Sequence, residues 1–407
     1  MYLTLSKRFE FSASHRLYNP KWSAEQNAAV FGEESGGAFG HGHNYTAHLV
    51  FHGPIDSDTG MMLNIATIKS RLSTLLDSRY DHKYLNEDTL PFHRTIPTAE
   101  NIASQILHES ESLFVDESAR PVVCRIEESA ETSAISYASG KIERQFSTWF
   151  SAARQTMSPQ LSDAENSAMY GISAAPLGHG HLYQLLVTLA PQTSDSEGIT
   201  PSESTCYRTI VALKQEFDHT NLNHLPQLKG LAITTECLAR YFYDRLRLDL
   251  PVSRVRLWET PDFSVEYDHA GRVSMCLSRS FHAAHRLHSS KLSDSANREL
   301  YGKCNNPKGH GHTYTVEVTA TGAIDERTGA LMSLEQLIDG TVKAIAPWRY
   351  KHLDAEIKDF ASKPSTGENI LLALYPRLHE GIGIAPSRVR LWETANNRFC
   401  LRTKSSV

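Results

Sequence analysis

Three histidine pairs, His41/His43, His179/His181 and His310/His312, each inside the string Gly-His-Gly-His, have the donor type and the separation of metal ligands. Two residues apart on an extended strand, both imidazoles of a pair project from the same face. Upstream of the first and third pairs stands another histidine: His15 in Phe-Ser-Ala-Ser-His-Arg, and His285 in Phe-His-Ala-Ala-His-Arg. Each set then offers three neutral nitrogen ligands, the number found in a zinc site that keeps a fourth position open for substrate. Before the second pair the corresponding residue is Arg154, in Phe-Ser-Ala-Ala-Arg-Gln. A guanidinium keeps its proton and cannot ligate, so His179 and His181 are expected to hold no zinc.

The elements that position these residues recur. The pairs begin at 41, 179 and 310, a spacing of domain size rather than solenoid size, and three homologous modules follow. Boundaries fall at 1–140, 141–269 and 270–407. Each module opens with the strand carrying the upstream residue. A second, alternating strand follows the histidine pair (Asn-Tyr-Thr-Ala-His-Leu-Val-Phe at 44–51, Thr-Tyr-Thr-Val-Glu-Val-Thr-Ala at 313–320). Two helices come next. Met62, Leu63, Ile65, Ile68, Leu72 and Leu75 give the first in module one, and Pro97-Thr98-Ala99-Glu100 is a capped start for the second. A β-rich close carries Val-Cys-Arg-Ile-Glu-Glu (123–128) or Val-Arg-Leu-Trp-Glu-Thr (255–260 and 389–394). The module reads ββααββ, an α+β fold. The joints near Gly140 and at His269-Ala270-Gly271 are tight turns, which favours one continuous assembly over separate beads. Residues 191–204 read as an irregular surface loop.

Bulk properties narrow the function classes. The chain of 407 residues is 40% hydrophobic and 21% charged, with a net charge of -5 and no basic run, so no nucleic-acid partner is indicated. Its 6 cysteines lie far apart, without a Cys-x-x-Cys pair, which argues against a disulfide framework and for a reducing compartment. With no signal-peptide pattern at the N-terminus and no bilayer-length apolar run, a cytoplasmic protein without a membrane partner is expected.

Taken together, these residues resemble the 6-pyruvoyl-tetrahydropterin and 6-carboxytetrahydropterin synthases, which share the tunnelling fold. The resemblance covers nearly the whole chain, once per repeat. It is most specific in Tyr301-Gly-Lys-Cys-Asn-Asn-Pro-Lys-Gly-His-Gly-His-Thr-Tyr314, and continues in Asp58-Thr-Gly-Met-Met-Leu-Asn64 and Asp81-His-Lys-Tyr-Leu-Asn86. It implies a Zn2+ ion on His15, His41 and His43, and another on His285, His310 and His312. It implies Cys304 as the base, Asp81-His82 and Asp218-His219 as proton relays supplied by a neighbouring repeat, and Glu128, Glu259 and Glu393 as pterin anchors. Thr98 and Thr366 are the further substrate-binding candidates. The implied reaction is elimination of triphosphate from 7,8-dihydroneopterin triphosphate to give 6-pyruvoyl-tetrahydropterin, and a thiolate beside a cation is a competent base for it.

No single repeat matches in full. The third has Arg349-Tyr350 where the family has Asp-His; the first has Glu34 where Cys304 stands; the second has Ser173 there and lacks the third histidine. The family works as trimers with sites between subunits, so the three repeats are expected to form an intramolecular pseudo-trimer around a central antiparallel β-barrel, and two chains to stack as a homodimer. Two ring directions exist. In the preferred one, repeat three borrows Asp81-His82, repeat one borrows Asp218-His219, and the metal-less centre meets Arg349-Tyr350, so both losses fall in one composite site. The opposite order pairs Cys304 with Asp218-His219. Three other functions stay open: 6-carboxytetrahydropterin formation in deazapurine (queuosine) biosynthesis, 6-hydroxymethyl-dihydropterin formation with Glu34 as base, and a pterin-binding scaffold without turnover.

Overall fold

The computed structural model describes residues 1–190 and 202–403. Twelve long strands form a closed antiparallel barrel, four from each repeat. Repeat one supplies Tyr2–His15, His41–His52, Arg120–Glu127 and Thr132–Tyr137. Repeat two supplies Ile142–Arg154, His179–Leu189, Val252–Thr260 and Phe263–Asp268; repeat three supplies Val273–His285, His310–Gly322, Arg388–Thr394 and Asn397–Arg402. The last strand of one repeat pairs with the first of the next: Thr132–Ser136 with 142–146, Phe263–Tyr267 with 273–277, and Asn397–Arg402 with 2–7. This last pairing joins the chain's two ends and leaves the barrel without a free edge.

Period-two alternation explains why the barrel has two different faces. Outward-facing Leu5, Phe11, Val255, Leu257, Val316, Val318, Val389 and Leu391 are buried beneath the helices. The inward face is ionic: Arg254 meets Glu143 at 2.6 Å, and Arg256 and Arg390 meet Glu317 at 2.8 and 2.9 Å. The joints are the expected tight turns. Gly140 and Gly271 adopt φ of 83° and 74°, a region that residues with a Cβ avoid, and each closes a four-residue turn by donating its N–H, to Tyr137 O and Asp268 O.

Each repeat has the two expected helices on the outer face: Ile65–Arg79 and Ala99–Leu113, Glu203–Gln215 and Thr235–Leu246, Leu334–Ile345 and Gly367–Ile382. The apolar pattern of the first needs correction. Ile68, Leu72 and Leu76 are its buried stripe, Leu75 is only half-buried, and Met62 and Leu63 precede the helix in a segment that docks on repeat three. The ββααββ reading also misses a short helix between the first two strands of every repeat, at Ala24–Phe31, Asp163–Tyr170 and Asp294–Tyr301. These eight-residue helices are too short and polar to show periodicity, but Ser23/Gln26 and Ser162/Glu165 are capping boxes that mark two of their starts. Of the expected loop at 191–204, residues 191–201 lie outside the described residues; Ser202 is a helix cap and 203–204 are helical. None of the 6 cysteines forms a disulfide.

Candidate active sites

Hairpin register builds the histidine clusters. His15 pairs across the ladder with His41 and Ala13 with His43; His285 pairs with His310 and Ala283 with His312. The Nε2 atoms of His15 and His41 lie 3.2 Å apart, and those of His285 and His310 lie 3.1 Å apart. Two nitrogens bound 2.0–2.1 Å from one tetrahedral ion would be about 3.3 Å apart. The Nε2 atoms of His43 and His312 are buried without a hydrogen-bond partner. The remaining nitrogen of each strand-end histidine is fixed from behind: Nδ1 of His15 faces Pro97 O at 2.8 Å and that of His285 faces Ser365 O at 3.1 Å, which leaves Nε2 as the ligating atom. Burial lowers the pKa of both to about 3, so both rings are neutral and ready to ligate. Both triads therefore fit a divalent metal with three imidazole ligands.

The second repeat keeps the register, with Arg154 opposite His179 and Ala152 opposite His181. Arg154 Nη2 lies 2.6 Å from Glu259 Oε2 and 3.0 Å from Thr235 Oγ1, while His181 Nε2 is 3.1 Å from Glu259 Oε1. Against the burial that would raise it, the guanidinium and the two imidazoles hold Glu259 well below the usual carboxylate range. His179, His181 and Glu259 have the spacing of a metal site, but a cation there would have to displace a fixed positive charge from the carboxylate.

In repeat three Glu393 Oε1 stands 3.7 Å from His285 Nε2 and 3.8 Å from His312 Nε2. Cys304 lies half-buried on the turn Gly302–Asn305 before the histidine pair; burial, and then the Glu393 charge, push its thiol up. A metal cation beside it would act in the opposite direction. Thr366 caps the helix Gly367–Ile382 and donates to Gly60 O at 2.6 Å, while Glu368 accepts from Met62 N at 2.9 Å. Residues Asp58–Asn64 of repeat one thus close this centre. Tyr301 and Asn64 tie the same segment down through Thr59 O and Leu300 O, at 2.7 and 3.0 Å.

The three repeats match one sequence family. The profile of the 6-pyruvoyl tetrahydropterin synthases fits residues 4–139, 142–270 and 275–404. The chain belongs to this family. It is 44% identical over 121 residues to the "6-pyruvoyl tetrahydrobiopterin synthase" of Poecilia reticulata, which spans 29% of this chain and 82% of that protein. The Homo sapiens protein of the same name is 43% identical over 120 residues, 29% of this chain and 83% of its own. The structure of the Caenorhabditis elegans 6-pyruvoyl tetrahydropterin synthase aligns at 34% identity and a TM-score of 0.32, covering 33% of this chain and 96% of that one. Membership makes this chain an enzyme of the carbon–oxygen lyase type.

Within this synthase-family ring, adjacency runs one way. Repeat one borders the centre of repeat three, repeat two borders that of repeat one, where Ser204 meets Ala29 O and Arg144 pairs with Glu100, and repeat three borders that of repeat two through Gly329 O on Thr234. Asp81 and His82 lie beside the part of the first strand that extends past its pairing with 397–402; Asp81 Oδ1 takes the Ser12 N–H at 2.8 Å and its Oδ2 the His82 ring at 2.7 Å. Asp218 and His219 repeat this on Ser151. His82, His219 and Tyr350 all adopt φ near 60° and donate their N–H to Ser12, Ser151 and His282. The left-handed backbone, costly for residues with side chains, is thus kept in repeat three although Tyr350 has replaced histidine.

Sequence reasoning missed residues that make the centres unequal. Glu100, Glu236 and Glu368 stand at equivalent first-turn positions, and all are buried. Burial pushes Glu236 and Glu368 up to about 7, whereas Arg144 holds Glu100 below its ordinary value despite burial. By register Arg144 occupies the position of Leu5 and Met275; Glu203, the first helical residue after Ser202, occupies that of Ile65 and Leu334. Repeat one's centre consequently gathers Glu34, Glu128 and Glu203 around Arg144. Glu34 is half-buried with Oε2 unpartnered, while its neighbour Glu33 is exposed; burial, then Glu203, push Glu34 up to about 7. The signal was available as Thr-x-Glu, at 98–100, 234–236 and 366–368. Thr98, like Thr366, caps its helix and accepts from the N–H of the third residue on.

Proposed function

We propose that the chain is a zinc-dependent pterin lyase that converts 7,8-dihydroneopterin triphosphate to 6-pyruvoyl-tetrahydropterin, and that turnover belongs to the centre of repeat three. The observation that carries this is the convergence there of His285, His310, His312 and Glu393 around Cys304, closed by a segment of repeat one. Zinc on the three histidines would supply the Lewis acid that acidifies a carbon beside a coordinated substrate oxygen. Cys304 Sγ takes the proton from that carbon. Asp81 orients His82, which moves protons at the same centre from the adjoining repeat. The carbon–oxygen bond to triphosphate breaks, and its electron pair leaves with the triphosphate. Glu393 holds the pterin ring, with Thr366 at the pocket wall.

Repeat one's centre would hold a second zinc on His15, His41 and His43. Its half-buried Glu34 is the group that favours the second reading, cleavage to 6-hydroxymethyl-dihydropterin. Against it, the Arg144–Glu100 pair occupies the space beside Glu128, and the surrounding carboxylates oppose an anionic substrate. Asp218-His219 borders this centre. We assign the protein to the cytoplasm and to a homodimer of pseudo-trimers; none of the helices among the described residues is long and apolar enough to cross a membrane. Incubating the zinc-loaded chain with 7,8-dihydroneopterin triphosphate and identifying products by mass spectrometry tests the proposal. Triphosphate with 6-pyruvoyl-tetrahydropterin is expected. A 6-carboxy or 6-hydroxymethyl product would select one of the other reactions, and no product would leave a binding scaffold.

A further inference from the structure

The centre of repeat two contains a cavity of about 210 Å3, bounded on one side by Arg154, Thr234, Glu236 and Glu259 and on the other by Met275 and Leu334 of repeat three. Its buried polar groups are incompletely matched. Arg154 is only 4% exposed and spends Nη2 on Glu259 and Thr235, while its Nε and Nη1 are buried without partners. Guanidinium N–H groups removed from water are costly unless something supplies acceptors. Glu236, also 4% exposed, makes no ion pair among the described residues; its carboxylate takes the Leu331 N–H, as Glu368 takes that of Met62, and it lines the same space with acceptor capacity to spare. In repeat one the equivalent space is taken by Arg144 on Glu100, at the position of Met275.

A ligand that satisfies these walls has N–H donors along one edge for Glu236, oxygen acceptors at the other end for Arg154, and a flat apolar body that fits beside Met275 and Leu334. A pterin with an oxygenated side chain has all three. We propose that repeat two is a metal-independent pterin-binding site, in which Arg154 takes the place that zinc holds in the other repeats and the ligand is bound without turnover. Ser173 stands where the third repeat has Cys304, and Arg154 stands where the others have the third histidine, so this site lacks the thiol and the metal triad on which the proposed elimination relies. It offers the chain a place to sense the pterin pool separately from the centre that acts on it.

The ligand's class rests on the proposed function; the site's existence rests on the cavity and the unpaired guanidinium. The test titrates the zinc-loaded full chain with neopterin, a fluorescent pterin lacking the triphosphate, and counts equivalents bound. Two variants probe repeat two: Glu236→Gln, which removes the carboxylate, and Met275→Arg, which copies into the cavity the arginine, Arg144, that fills repeat one's centre. Each is expected to lose one bound equivalent relative to the wild type while zinc content and turnover of 7,8-dihydroneopterin triphosphate stay unchanged. Wild-type stoichiometry in either variant that keeps its zinc, or no neopterin bound by a wild type that turns over, overturns the proposal. Absence of turnover with Glu236-dependent binding intact would sink the lyase reading and leave this one standing.

Discussion

Replacing Arg154 by histidine should turn the second centre into a third metal site. The backbone is already in place, because Arg154 pairs with His179 in the register that His15 has with His41 and His285 with His310. The substitution has an opposing cost. Arg154 and Glu259 form a buried pair, their side chains 4% and 9% exposed, and removing one partner of such a pair costs about 3–5 kcal/mol. Glu259 would keep the Thr235 hydroxyl and His181, so the lower end, about 3 kcal/mol, applies to the metal-free variant. Zinc at 1,000 times its dissociation constant would return about 4 kcal/mol through binding to the folded state alone. The variant should therefore be less stable than wild type in chelator and recover on zinc addition. Metal analysis after dialysis should give three zinc ions per chain for Arg154→His and two for wild type. A variant that stays at two, with a zinc-dependent stability gain no larger than the wild type's, would refute the argument that the guanidinium alone excludes the metal.

Cys304→Ala should lower turnover by about 10²–10⁴-fold, the usual contribution of a positioned base, with zinc content unchanged; loss of zinc would show that the thiol supports the metal instead. Asp81→Ala should abolish the Cys304-dependent activity while Asp218→Ala spares it, and the reverse outcome would overturn the assigned pairing of repeats. The zinc-stripped chain should lose stability as pH falls from about 6.5 toward 3. His15 and His285 stay neutral in the fold down to about 3, whereas the unfolded chain protonates them near 6.5, so the unfolded state binds more protons throughout that window. Each contributes a slope of about 1.4 kcal/mol per pH unit, readable in urea midpoints, and a His15→Gln, His285→Gln double variant with the same slope as wild type would remove that explanation.

The barrel and the histidine clusters were legible because strand alternation and a repeated string each constrain geometry directly. His15, His41 and His43 meet because a hairpin register admits few alternatives once both strands are fixed on their apolar face. The residues that distinguish the centres were hidden for the opposite reason. Arg144 lies at an outward-facing strand position where an apolar residue is the rule, and only the neighbouring repeat's Glu100 makes its charge intelligible. Glu203 begins a helix directly after an irregular stretch, so it read as loop. Met62 and Leu63 joined the wrong element because their burial comes from repeat three and not from their own helix. Contacts across a repeat boundary leave no local period to read.

Fusion explains why such contacts can differ among otherwise equal positions. In a ring of three identical chains, an arginine at the position of Leu5 would enter all three centres at once, facing a first-turn glutamate in each. In this chain Arg144 enters only the centre between repeats one and two, while Leu5 and Met275 keep the equivalent positions apolar. The same holds for Arg154, whose positive charge abolishes one histidine ligand and leaves His15 and His285 untouched. Covalent linkage thus lets a single ring carry a charged centre with a metal triad, a cavity without one, and a complete triad beside Cys304. Because each centre borrows its wall from the next repeat, a substitution is felt by its neighbour's site as much as by its own.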